Sequence, residues 1–206
     1  MDALGLVELA ARAWQPAAEF GRLLRDPVFW GVGVPRGDGH PVLVLPGLLA
    51  GDRYLEPLRG WLRRVGYRPV PSGLDRNPGW SEAVVGELGE RAARACAGSG
   101  RRVTIVGHSM GGVLGRSIAL RRPQTIRHVI ALGSPLIMTR GRLPEGVRLS
   151  AIYSRDDLIV RHPGAMARDP SARNIEVGGS HVGLAGNPEV YRHLARLLRA
   201  NGRDRG

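Results

Sequence analysis

A serine flanked by glycines is the residue of this chain best suited to covalent chemistry. Ser109 is the centre of a GHSMG segment at residues 107–111, and Gly112 follows. A strand-like apolar run, Val103–Val106, precedes the segment, and a helical pattern from Met110 to Arg121 follows it. A sharp strand-to-helix turn exposes the serine hydroxyl and requires glycines, because strand and helix approach too closely for side chains. The pattern therefore predicts a nucleophilic serine at a helix N-terminus, where free N–H groups favour negative charge.

A serine hydroxyl is a weak nucleophile unless a base removes its proton. His181 is the best-placed histidine, because it follows the last predicted strand in a GGSHVG segment and precedes the final helix. His108, beside the serine, is expected to point away from it or to support the turn. The remaining histidines fall at strand starts or in predicted helices: His40, His128, His162 and His193.

The base needs a third group, usually a carboxylate, that holds the correct tautomer. Asp156 and Asp157 both follow the penultimate predicted strand. We favour Asp157, because the apolar run at residues 158–160 can bury the loop beneath its carboxylate, and Asp156 is then a solvated neighbour. The chain order is serine, aspartate, histidine, which differs from the orders of chymotrypsin and subtilisin.

Two backbone N–H groups are candidates to stabilise the negative charge of a tetrahedral intermediate. Met110 directly follows the serine. Leu48 lies in the loop after the first main strand, where Gly47 permits an unusual backbone turn. Leu48 and Met110 are therefore the predicted oxyanion-hole donors.

The elements that position these residues alternate between strand and helix from residue 42 onward. The predicted strands are Val42–Leu45, Tyr67–Val70, Val103–Val106, His128–Leu132, Leu149–Tyr153 and Asn174–Val177. The predicted helices cover residues 53–65, 81–97, 110–121 and 187–200. Such alternation predicts an α/β fold, a three-layer α/β/α sandwich with a mostly parallel sheet. A single catalytic domain is expected at residues 41–206.

Residues 1–40 are expected to form an N-terminal helical extension packed on that domain. Apolar residues share helical faces in two stretches, Leu6 to Trp14 and Phe20 to Leu24. A partial cover for the active site, or an interface-seeking helix, is the alternative. The first residues lack the basic and apolar regions of a secretory signal and no membrane-spanning run is present, so a cytoplasmic location is expected.

Composition excludes several classes of protein. The chain has 206 residues, 43% of them hydrophobic, which is typical of a globular domain. Its net charge of +12 comes from 30 arginines spread along the chain, with no lysine. Aromatic residues make up only 5%, so stacking platforms are scarce and no nucleic-acid partner is expected. Contact with an anionic lipid surface remains open.

Cys96 is the single cysteine, so no intrachain disulfide forms, and the predicted chemistry requires no cofactor or metal.

With these motifs, the chain from about residue 41 to residue 200 resembles the small esterases and lipases of the α/β-hydrolase superfamily, especially the compact lidless bacterial lipases. Three stretches carry the resemblance: residues 42–47, residues 103–112, and residues 151–160 together with 178–184. The resemblance implies a serine carboxylic-ester hydrolase that acts on a small-molecule or lipid ester. The same three side chains could instead serve an acyltransferase or thioesterase, or the fold could be a non-catalytic binding protein. The predicted oxyanion loop has Pro46-Gly47 where many relatives have His-Gly.

The segment between Pro135 and Leu149 is too short for the cap domain of larger relatives. An open minimal site with no cap is therefore expected. Apolar residues predicted to flank it as acyl-pocket candidates, or alternatively to belong to the core, are Leu48, Leu49, Leu136, Ile137 and Val182.

Overall fold

A six-stranded, fully parallel sheet forms the centre of the molecule in the computed structural model, which describes residues 15–200. The strands are β1 (Pro41–Leu45), β2 (Arg68–Pro71), β3 (Val103–His108), β4 (Ile126–Leu132), β5 (Arg148–Ser154) and β6 (Arg173–Val177). Their order across the sheet is β2-β1-β3-β4-β5-β6. The register sets Ile105 of β3 opposite Leu43 of β1 on one side and Val129 of β4 on the other. The predicted parallel sheet is thus confirmed.

Five α-helices accompany the sheet within residues 15–200. They are α1 (residues 15–25), α2 (Glu56–Arg64), α3 (Glu82–Ser99), α4 (Met110–Arg121) and α5 (Pro188–Ala200). Ser81 caps α3 by accepting a hydrogen bond from the Val84 N–H at 3.2 Å. The single helix predicted at residues 53–65 is instead a 3₁₀ turn, Asp52–Leu55, followed by α2, whose first turn contains a proline suited to that position. His162, predicted in a helix, lies in a turn.

Two hydrophobic cores lie on opposite faces of the sheet, which confirms the three-layer sandwich. Alternate residues of β1 face opposite sides, so Val42 and Val44 join one core and Leu43 and Leu45 join the other. The first core includes residues of α1, α2 and α5, and the second includes residues of α3 and α4.

The described part of the N-terminal segment is built into the first core. Leu23 of α1 is fully buried, and Phe29 packs in the same cluster. The indole Nε1 of Trp61 in α2 donates to the Val28 carbonyl oxygen at 2.8 Å. The apolar face predicted between Leu6 and Trp14 lies outside the described residues.

All strands run in one direction, so their carboxyl ends meet at one edge of the sheet, here called the carboxyl edge. The connection from β4 to β5 contains only a three-residue 3₁₀ turn, Leu136–Met138. No cap domain covers the carboxyl edge within residues 15–200. Across that same range, every helix is too short or too polar to cross a membrane.

Candidate active site

Ser109 occupies the turn between β3 and α4 in a strained conformation. Its φ of 52° and ψ of −122° are unusual for a residue with a side chain, and its N–H donates to the Leu132 carbonyl oxygen at 2.8 Å. A Cβ on Gly107 would lie 2.4 Å from the Gly111 carbonyl group, and one on Gly111 would lie 2.2 Å from the Leu45 carbonyl oxygen. The flanking glycines therefore allow β1, β3 and α4 to approach closely enough to form the turn.

His181 lies between Ser109 and Asp157. Its Nε2 is 3.0 Å from the serine Oγ, and its Nδ1 is 2.7 Å from Oδ2 of Asp157. Since an ionised carboxylate only accepts hydrogen bonds, Nδ1 carries the proton and Nε2 is free to accept the serine proton. The structure thus brings together the three side chains that the motifs singled out.

The loop after β5 fixes the Asp157 carboxylate. Its Oδ1 accepts hydrogen bonds from the N–H groups of Ile159 (2.9 Å) and Val160 (2.8 Å), and the residue is 1% exposed. Burial opposes the ionised form, but the hydrogen bonds from His181, Val160 and Ile159 outweigh it and hold the pKa of Asp157 below its usual value. Asp156 is exposed, and within residues 15–200 its carboxylate accepts only a long 3.4 Å hydrogen bond, from the Gly179 N–H to Oδ2.

Two aromatic side chains hold the loop that carries His181. The Nε2 of His108 lies 2.9 Å from the His181 carbonyl oxygen, and must be the donor because a carbonyl only accepts. The Tyr54 hydroxyl donates to the Val182 carbonyl oxygen at 2.9 Å. Burial lowers the pKa of His108 to about 4, so its ring is neutral near pH 7. His108 therefore supports the histidine loop, and Tyr54 is a contributor that no local motif indicated.

The two predicted oxyanion donors border Ser109. Met110 is the first residue of α4, so its N–H has no intrahelical acceptor. The Leu48 N–H donates to no protein acceptor within residues 15–200. A Cβ on Gly47 would lie 3.1 Å from the Ser109 Cβ, so this loop runs directly beside the nucleophile.

Asn77 fixes the shape of the Leu48 loop and was not singled out from the sequence. It is fully buried, and its Nδ2 donates to the Pro46 carbonyl oxygen at 2.7 Å. Its backbone carbonyl accepts from the Leu49 N–H and its own N–H donates to the Ala50 carbonyl, both at 2.8 Å. These three bonds hold Leu49 at a positive φ of 61°.

The predicted acyl-pocket residues fall into two groups. Leu48, Leu49, Ile137 and Val182 are all exposed large apolar side chains. Leu136 is only 3% exposed and packs in the core on the α3 and α4 face, which is the alternative that its apolar character left open. Within residues 15–200, no group of three or more His, Cys, Asp or Glu side chains could hold a metal ion.

Comparison with known proteins places this arrangement in a known fold. A family model described as the PGAP1-like alpha/beta domain matches residues 94–153. No curated protein matches the chain. Among solved structures, the monoacylglycerol lipase of Paleococcus ferrophilus superposes with a TM-score of 0.59 at 13% identity, covering 81% of this chain and 96% of the lipase. The chain has the α/β-hydrolase fold.

Other solved structures agree at similarly low identity. The pyrethroid hydrolase PytH gives a TM-score of 0.63 at 12% identity, covering 80% of this chain and 99% of its own. Mouse alpha/beta hydrolase domain-containing protein 10 gives 0.56 at 13%, covering 81% and 90%. The PGAP1-like match ends at residue 153. It therefore includes Ser109 but not Asp157 or His181, whose places in line with Ser109 are given by geometry.

Proposed function

We propose that this protein is a serine carboxylic-ester hydrolase that works through an acyl-enzyme on Ser109. The observation that carries the proposal is the unbroken hydrogen-bonded line from Asp157 through His181 to Ser109, with distances of 2.7 and 3.0 Å. The low pKa of Asp157 supports it, because an ionised carboxylate stabilises the imidazolium that forms when His181 takes a proton.

In the first half-reaction, the Ser109 Oγ attacks the ester carbonyl carbon while its proton passes to His181 Nε2. The carbonyl π electrons move to the oxygen, and the N–H groups of Leu48 and Met110 stabilise the resulting oxyanion. His181 then gives the proton to the departing alkoxide, so an alcohol leaves and the acyl group remains on Oγ.

In the second half-reaction, water replaces the alcohol. His181 Nε2 takes a proton from water as the water oxygen attacks the acyl carbonyl. Collapse of the tetrahedral intermediate breaks the bond to Oγ, and the proton returns from His181 to the serine. The carboxylic acid leaves, and the free Ser109 is regenerated.

Apolar esters are the proposed substrate class. The exposed side chains of Leu48, Leu49, Ile137 and Val182 lie on the loops that carry the oxyanion donor, the histidine and the turn after β4. Burying such side chains against an acyl chain is favourable by about 25 cal/mol per Å² of apolar surface. An open carboxyl edge leaves room for an acyl chain to lie across it.

Ser109→Ala tests the proposal. The wild-type protein should react with a fluorophosphonate probe and hydrolyse p-nitrophenyl esters, measured from acetate to palmitate. Ser109→Ala should lose probe labelling, and its kcat should fall by roughly 10⁴- to 10⁶-fold. Ser117→Ala, a serine on α4 whose hydroxyl binds the Trp80 indole at 3.0 Å, is the matched control and should label normally.

Three results would contradict the proposal. Full ester turnover by folded Ser109→Ala would exclude the acyl-enzyme on this serine. Labelling of the wild type without ester turnover would favour an acyltransferase or thioesterase using the same side chains. Neither labelling nor turnover in folded wild-type protein would favour a non-catalytic binding protein.

A further inference from the structure

Exposed large apolar side chains are concentrated at the carboxyl edge of the sheet. Within the described residues, twelve large apolar side chains are exposed, and eight of them lie on loops at this edge. We call these eight the apolar rim: Leu48, Leu49, Trp80, Ile137, Met138, Leu158, Ile159 and Val182. The other four are scattered elsewhere: Leu24, Trp30, Val32 and Leu120.

Several rim residues lie on the same loops as the candidate active-site residues. Leu158 and Ile159 directly follow Asp157, and Val182 directly follows His181. Met138 is exposed by 63% and Ile159 by 69%. A concentration of exposed large apolar side chains at one edge indicates an interaction site.

Arginines without acidic partners accompany the rim. Arg53, Arg76, Arg140 and Arg161 are exposed on carboxyl-edge loops, and none forms an ion pair with an acid of residues 15–200. Some arginines on the body of the domain pair with acids, such as Arg63 with Glu56 and Arg121 with Glu82, whereas others, such as Arg68 and Arg94, are exposed and form no ion pair within residues 15–200. The exposed acids Asp75 and Asp156 lie on the same loops and also form no ion pair within residues 15–200. The four arginines outnumber them, so the carboxyl edge combines exposed apolar side chains with a net positive charge.

We propose that the carboxyl edge docks on an anionic lipid surface, with the apolar rim entering the headgroup region and the four arginines contacting lipid phosphates. Apolar insertion and attraction to anionic lipids are the two contributions that hold peripheral proteins on membranes. Docking would present the Ser109 region to esters held in the lipid layer. This deepens the proposed function, but docking itself requires no turnover.

Vesicle binding by the Ser109→Ala protein tests docking without hydrolysis. It should bind phosphatidylcholine vesicles that contain phosphatidylglycerol in a flotation assay, and bind pure phosphatidylcholine vesicles at least about tenfold more weakly. Leu158→Ser with Ile159→Ser should reduce binding about tenfold or more, because two apolar insertions are lost. Val32→Ser, exposed but off the rim, should bind as before.

A second pair of variants tests the charges. Arg140→Gln with Arg161→Gln should weaken binding to the anionic vesicles, whereas Arg63→Gln with Arg121→Gln, which removes the same net charge from the body, should not. Equal loss in both charge variants, or full binding by the folded Leu158 and Ile159 variant, would overturn the proposal. If that variant unfolds, Met138→Ser on another loop provides the same comparison. Rim-dependent binding of duplex DNA without vesicle binding would indicate a nucleic-acid surface instead.

A buried carboxylate on α1 supports a second, independent inference. Glu19 is 1% exposed; its Oε1 accepts from the Ser180 N–H at 2.8 Å, and its Oε2 accepts from the Ser180 hydroxyl at 2.6 Å. Ser180 directly precedes His181. A Cβ on Gly183 would lie 1.4 Å from the Glu19 Oε2, so the loop is folded closely around this carboxylate.

We infer that Glu19 is a positioning residue for His181, acting through Ser180. Hydrogen bonds to a carboxylate are roughly twice as strong as neutral ones, and two of them converge on the residue before the base. Ser180 Oγ also accepts from the Gly183 N–H at 3.1 Å, so the carboxylate orders both sides of His181. Helix α1 therefore contributes to the active site through Ser180 rather than by contact with Ser109.

Glu19→Ala and Ser180→Ala test this inference. Both should lower kcat about ten- to hundredfold with little change in KM, because misplacing the base impairs chemistry more than binding. The double variant should be no worse than either single variant, since both remove one interaction. Arg25→Gln is the control: it is exposed on α1 and forms no ion pair within residues 15–200.

Nuclear magnetic resonance distinguishes a positioning role of Glu19 from a purely structural one. In folded wild-type protein, the proton between His181 Nδ1 and Asp157 should give a far-downfield signal, which Glu19→Ala should broaden or shift. A lower melting temperature with unchanged kcat and unchanged proton signal would overturn the inference. The signal does not depend on turnover, so it remains informative even if the proposed esterase activity is absent.

Discussion

The carboxylate of Asp157 accepts three hydrogen bonds and is shielded from water, whereas that of Asp156 is exposed. The two aspartates are adjacent in the chain, but their side chains lie in quite different environments. Of the two acids, only Asp157 contacts the His181 imidazole. Its Oδ1 accepts hydrogen bonds from backbone N–H groups, which fix the orientation of the carboxylate. The two acids thus form a natural pair for testing which carboxylate orients His181.

Asp157→Asn should lower kcat by about 10³- to 10⁴-fold, because an amide NH₂ facing Nδ1 favours the wrong imidazole tautomer. Asp156→Asn should change kcat by no more than about twofold, as is usual for an exposed side chain. Steady-state kinetics on a p-nitrophenyl ester would measure both, with circular dichroism to verify folding. Equal losses in the two variants would contradict the assignment of Asp157.

At the scale of elements, the turn before α4 depends on backbone approach. A Cβ on Gly111 would meet the Leu45 carbonyl oxygen at 2.2 Å and the Pro46 oxygen at 2.9 Å, both on the segment that leads to the Leu48 N–H. Gly86 is a contrast, because it lies in α3 with nothing within 4 Å of an added Cβ. The same substitution should therefore have opposite effects at the two positions.

Gly111→Ala should lower the free energy of unfolding by about 1–3 kcal/mol, the usual cost of overpacking. Gly86→Ala should raise it by about 0.5–1 kcal/mol, because alanine restricts the unfolded chain and favours the helix. Urea unfolding followed by circular dichroism measures both. Stabilisation by Gly111→Ala would show that the backbone of β1 and α4 can separate at this turn.

The sheet and the residues around Ser109 could be predicted because their signals are local. Buried parallel strands are continuous apolar runs, and a strand-to-helix turn needs its glycines in adjacent positions. Glu19 and Tyr54 could not be predicted, because they act on the histidine loop from 161 and 128 residues away. Asn77 is similar, because it acts through hydrogen bonds to Pro46, Leu49 and Ala50 that no local sequence pattern predicts.

At the scale of the whole molecule, two buried histidines connect folding to pH. His40 and His108 are 2% and 4% exposed. Burial lowers the pKa of each from 6.5 to about 4, with Arg127 and Arg101 adding to the effect at His40. In the unfolded chain both rings recover their ordinary pKa. The unfolded state therefore binds more protons than the folded state between pH 6.5 and 4, and stability must fall as the pH decreases through this window.

Each of these histidines should remove about 2 kcal/mol from the free energy of unfolding between pH 7 and pH 5, or about 4 kcal/mol together. Urea unfolding at the two pH values measures the loss. His40→Gln, which can keep a hydrogen bond to Thr104 but does not titrate, should reduce the loss by about half. An equal pH dependence in wild type and variant would mean that His40 keeps its ordinary pKa in the folded state, which its burial beside Arg127 and Arg101 opposes.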